Sequence, residues 1–84
     1  MLHAWLAAAY GQQHAYEQSR GASEADLQSI KDKVVREMSA AIAAEPRTRD
    51  LLRSLWKPQA NAEDRDLESF PPDDADLTRL LGAS

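Results

Sequence analysis

The sequence predicts an all-α protein: a helical hairpin plus a short third helix, with an extended acidic C-terminal arm ending in a short helix. Three observations carry this. First, residues 23–45 place Leu27, Ile30, Val34, Met38, Ala41 and Ile42 at steps of three or four, the spacing of one helical stripe. Second, 15 of the 36 hydrophobic residues are alanine, the best helix former. Third, Gly21, Pro46, Pro58, Pro71, Pro72 and Gly82 fall between the periodic stretches, where helices should stop.

The first helix spans residues 1–19. Leu2, Trp5, Leu6, Ala9 and Tyr16 roughly share one of its faces, interrupted by Gln13. Gly11 weakens such a helix by about 1 kcal/mol relative to alanine, so it marks either a kink or a close approach by another backbone. Gly21 is the expected stop, and a loop as short as residues 20–22 folds the next helix back antiparallel. In that second helix Ser23 is placed to cap the first turn, and Glu24 and Asp26 add negative charge at the positive end of the dipole. Pro46 forbids its simple continuation.

Residues 47–57 make the short third helix, with Leu51, Leu52, Leu55 and Trp56 on one stripe and Thr48 or Pro46 in its first turn. Pro58 closes it. Residues 58–73 hold three prolines, two large apolar residues (Leu67 and Phe70) and no sustained period. They read as a linker, mobile unless Leu67 and Phe70 anchor it. Asp73 or Asp74 then caps a turn or two of helix that Gly82 ends. The organisation is therefore a three-helix region 1–57, an acidic proline-containing linker 58–73, and a docking segment 74–84.

Charge follows the same divisions. Residues 1–45 carry four basic and six acidic groups, residues 46–57 four and one, and residues 58–84 two and seven. A basic helix is thus followed by an acidic tail, in a chain of net charge −4. Arg47, Arg49, Arg53 and Lys57 are the candidates for contact with nucleic acid or an acidic partner. Trp56 is available for stacking. Nucleic-acid binding normally shows as a basic domain, so a sequence pI near 5.0 makes it the alternative reading. The bland one is a solvated basic face, or one that meets the chain's own tail.

Catalytic chemistry finds little to work with. With no cysteine there is no disulfide, thiol nucleophile or zinc-finger set, a composition that fits a reducing compartment. Three glycines leave no phosphate-cradling loop, and no nucleophile-elbow or zinc-protease motif occurs. His3 and His14 lie eleven residues apart, about 16 Å along a helix, too far for one metal. His14 and Glu17 have the i, i+3 spacing of di-metal carboxylate bundles, but the further carboxylates are missing, so both histidines are expected at the polar surface. No catalytic residue, metal site, cofactor or small-molecule substrate is assigned. The apolar run at residues 4–10 lacks a basic flank and is far short of a membrane span, so the cytoplasm, or an assembly built there, is expected.

What remains is interaction. Only 21 apolar residues are larger than alanine, a thin supply for a domain this small. Part of the apolar surface is expected to be completed by another chain, a self-copy or a different subunit; the opposite reading is a lone bundle of modest stability. Residues 77–81, LTRLL, have the form LxxLL. That string resembles the coactivator box, which implies a short helix whose leucines enter an apolar groove. Leu77, Leu80 and Leu81 would be the anchors, with the groove supplied either by a partner or by the chain itself. As a tether, residues 72–84 should be removable without unfolding the first three helices. Trp5, Trp56 and Phe70 complete the candidate partner-binding set. Tyr10 and Tyr16 share with the tryptophans the double reading of core residue or interface anchor. The expected function is a non-catalytic interaction or assembly subunit.

Overall fold

Four helices follow in chain order: α1 (Leu2–Ser19), α2 (Glu24–Ala44), α3 (Thr48–Trp56) and α4 (Ala75–Leu81). The computed structural model describes residues 2–57 and 65–82; Pro58 and the rest of 58–64, and the last two residues of the docking segment, lie outside them. Among the described residues there is no strand.

The ends of the helices are set by local chemistry. At the end of α1, Gly21 adopts a left-handed φ of 79°; its N–H donates to the Gln18 carbonyl, and the Ala22 N–H to that of Glu17. These paired bonds satisfy two carbonyls the helix would leave open and turn the chain back sharply. The hairpin of α1 and α2 follows. Ser23 caps α2, its side chain accepting from the Asp26 N–H at 3.2 Å. Between α2 and α3 the turn closes through backbone bonds from Thr48 to Glu45 and from Arg49 to Pro46. Thr48 is therefore the first residue of α3, not its side-chain cap, and it is buried. Asp74 caps α4, accepting from the N–H groups of Asp76 and Leu77 at 3.0 and 3.1 Å.

The core is built mostly from outside the first helix. Val34 and Met38 of α2, Leu52, Leu55 and Trp56 of α3, Leu67 and Phe70 of the connecting segment, and Leu77 and Leu81 of α4 are all buried in one cluster. From α1 the cluster takes only Ala7, with Ala8 and Tyr10 at its edge. Burying each large side chain is worth roughly 1.5–3 kcal/mol, so the segment after Pro58 supplies a large share of the stabilisation. The Cα radius of gyration, 11.9 Å, is that of a fully collapsed chain of this length, about 12 Å.

Residues 65–74 are thus an integral layer. Leu67 and Phe70 anchor them, as their isolation in polar sequence suggests. The Leu67 N–H donates to the Leu55 carbonyl, and Trp56 Nε1 donates to the carbonyls of Phe70 and Pro71 at 3.2 and 3.1 Å. Gly11 lies where this layer crosses α1. A Cβ built on it would fall 2.6 Å from Leu67 Cδ2 and closer still to the Asp66 carbonyl oxygen. The glycine therefore marks a close backbone approach and not a kink. Of residues 72–84, expected to be a removable tether, Leu77 and Leu81 are packed in the same way, as core residues.

Candidate interaction surface

The first helix is turned the other way from the face its bulky residues suggest. Its buried residues are Ala4, Ala7, Gly11 and His14. At 3.6 residues per turn this small-residue stripe lies almost opposite Leu2, Trp5, Ala9 and Tyr16. Those four are exposed, at 69% for Leu2, 70% for Trp5 and 59% for Tyr16, with Leu6 half-buried beside them. The reason is steric. Small side chains let α2 and the crossing layer approach closely, and Met38, Leu67 and their neighbours then fill the core from the other side. Trp5, one of the expected partner-binding residues, is consequently free of the core on an apolar, outward stripe.

The other expected partner-binding residues are occupied. Trp56, Phe70, Leu77 and Leu81 are buried against their own chain, and Leu80 is packed at the edge of the same cluster. Of the two grooves open to the LTRLL segment, the chain supplies its own.

The basic helix is drawn into the same arrangement. Arg53 points both Nε, at 2.7 Å, and Nη2 at the Leu81 carbonyl; Arg49 Nε donates to the Leu80 carbonyl at 3.0 Å. Cations here satisfy the open carbonyls at the negative end of α4. Arg47 pairs with the neighbouring Glu45 at 3.4 Å, and Lys57 lies over the Trp56 ring at 4.5 Å. The basic face therefore meets the tail, with Arg49 and Arg53 on the backbone carbonyls of α4.

The acidic tail instead finds Lys31 of α2. Its ammonium lies 2.6 Å from Asp74 and 3.2 Å from Asp76. Burial works against both ionised partners, but the hydrogen bonds between them prevail, together with backbone N–H donors to Asp74. Asp74 is held below the ordinary carboxylate range and Lys31 above the ordinary lysine range. Nothing in the sequence pairs residue 31 with residue 74; only the return of the arm does.

His14 is not at the surface as expected. It is buried, its Nδ1 shares a 2.7 Å hydrogen bond with Ser69 Oγ, and its ring lies 4.1 Å from that of Phe70. Burial first, then the positive charge of Lys31, lower its pKa below the ordinary histidine value, against an opposing pull from Asp74. Glu17 turns to Arg20, 3.5 Å away, and the exposed His3 meets Glu37 of α2 at 2.5 Å. Among the described residues no group of three or more His, Cys, Asp or Glu could hold a metal ion, and no helix is long and apolar enough to cross a membrane. No protein-family model, curated protein or solved structure matches this chain.

Proposed function

We propose that this chain is a non-catalytic interaction or assembly subunit, working in the cytoplasm or in an assembly built there, which offers the outer face of α1 to another protein. The observation that supports this is the orientation of that helix: Leu2, Trp5, Ala9 and Tyr16 face solvent while alanine and glycine face the core. Scattered exposed apolar residues are ordinary, but a tryptophan, a tyrosine and leucines aligned on one helix face make a patch of the kind that marks docking sites. The face is nearly free of charge. Glu17 is the one Asp, Glu, Lys or Arg in Leu2–Ser19, and Arg20 neutralises it. In this reading the C-terminal leucines hold the scaffold together and do not reach for the partner.

The test is a photo-crosslinking amino acid placed at Trp5 in the full chain, in its own cells, with a matching probe at Ser29 on the exposed side of α2. A discrete adduct from position 5, absent from position 29, is the expected result. No adduct from positions 2, 5 or 16 overturns the proposal.

A further inference from the structure

We infer that the occupant of the α1 outer face is a second copy of this chain, docked antiparallel about a two-fold axis at Ala9. The inference rests on the docking reading above and specifies the partner. Three features of the face lead to it.

The first is the small residue at the middle of the stripe, with bulky ones to either side of it. Leu2 and Tyr16 each stand seven residues from Ala9, and Trp5 and Gln13 each stand four. An antiparallel copy centred on Ala9 therefore sets Leu2 against the second copy's tyrosine and Trp5 against its Gln13. The two smallest exposed side chains of the stripe meet at the crossing point. Helices approach most closely where the contact residues are small, so the bulky residues on either side can interleave. A two-fold contact uses the same patch twice, so the small centre of one copy meets the small centre of the other.

The second feature is charge. Each chain has net charge −4, and most surfaces brought against their own copy would repel. The outer face of α1 is where this applies least: it carries apolar side chains flanked by Gln12 and Gln13, the one carboxylate of Leu2–Ser19 is paired with Arg20, and the nearby Asp66 carboxylate accepts from the Gln12 amide. A lipid surface fits less well, because interfacial helices carry Lys or Arg beside the apolar stripe and Leu2–Ser19 contains neither.

The third is area. Aromatic side chains bury ~150–250 Å² each when covered. Two copies bring four such rings, already more than half exposed, together with two exposed Leu2 and two half-buried Leu6 side chains. With all of them fully covered, the sum reaches at most about the 1,000 Å² at which a specific interface begins. A reversible, concentration-dependent dimer is the state that area supports.

Sedimentation equilibrium of the full chain is the test. The average mass should rise from the monomer value of 9.3 kDa toward twice that value as concentration rises to ~100 μM, a range suited to micromolar association. Ala9→Glu and Ala9→Lys, both at an exposed helical position, should each stay monomeric with unchanged helicity. An equimolar mixture of the two should regain the dimer, because opposite charges then meet at the axis. Dimerisation of each variant alone at wild-type strength overturns the Ala9 axis. A wild-type chain monomeric throughout overturns the second copy. In that event an adduct of another mass from the Trp5 probe leaves the docking surface standing with a different occupant, and no adduct removes both.

Discussion

Replacing Gly11 with alanine pits two effects of opposite sign against each other. Within a helix the change is favourable by about 1 kcal/mol, because glycine leaves more backbone entropy to be lost. Seen only as a helical residue, Gly11→Ala should stabilise. The tertiary structure reverses the sign. The new methyl would enter the van der Waals shell of Leu67 Cδ2, 2.6 Å away, and of the Asp66 carbonyl oxygen, which is closer. The leucine methyl could swing aside, but the carbonyl belongs to a backbone pinned by the bond from the Leu67 N–H to Leu55 and by Gln12 Nε2 on the Asp66 carboxylate. Overpacking of this kind costs about 1–3 kcal/mol. Lifting the layer off α1 would instead forfeit part of the burial of Leu67 and Phe70, roughly 1.5–3 kcal/mol for each if fully lost. Either response offsets or outweighs the helical gain, leaving a net loss of up to about 2 kcal/mol by difference between these terms. For a domain of this size each kcal/mol lowers Tm by about 4–8 °C. Urea unfolding followed by circular dichroism, with Trp56 fluorescence reporting the layer, measures the change. Gly21→Ala is the control: nothing lies within 4 Å of its Cβ position, so its cost is only that of a left-handed backbone, about 1–2 kcal/mol. A Gly11→Ala chain more stable than the wild type would refute the close approach, and with it the placement of residues 65–70 against α1.

Other perturbations probe the same return of the arm. Leu81→Ala removes a fully buried side chain and should cost about 2–5 kcal/mol by urea titration, against near neutrality for Leu51→Ala at the surface. Arg53→Met keeps much of the stem but removes both donors to the Leu81 carbonyl; a loss of about 1–2 kcal/mol is expected, and hydrogen exchange should quicken first in α4. Stability should also fall on acidification below neutrality. His14 has a lowered pKa in the folded chain, so the unfolded chain takes the proton first: its contribution is complete above about pH 6.5 and is lost as pH falls through the folded value. His14→Phe should flatten that slope between pH 8 and 5, and an unaltered slope would exonerate the residue. Asp74 acts in the same sense at lower pH: its lowered pKa gives stability that is full above the ordinary aspartate range and lost as pH falls through the folded value. Lys31 acts oppositely, its raised pKa giving stability that is lost only above the ordinary lysine range.

Read in one dimension, the chain determined its helices and their ends. The step of three or four in residues 23–45, Ser23 before the run, Gly21 and Gly82 after runs, and Asp74 at a cap position act within a few residues of themselves, and the structure keeps each of them. The apolar period of residues 1–19 was equally legible, but a period fixes only which side chains share a face. Which face turns inward is a contest between neighbours distant in sequence. There the small stripe of Ala4, Ala7 and Gly11 prevailed because it admits α2 and the 65–70 layer at short range, while Leu2, Trp5 and Tyr16 on the opposite side were left to solvent. The fate of the arm was decided the same way. Its composition reads as linker because burial of Leu67, Phe70, Leu77 and Leu81 requires a groove that exists only once α2 and α3 have packed. The Lys31–Asp74 pair, the Arg53 contact with α4 and the burial of His14 against Ser69 all depend on that docking. Local hydrogen bonding and periodicity belong to the sequence; the choice of inner and outer faces belongs to the packed whole, because close packing is a property of surfaces that meet.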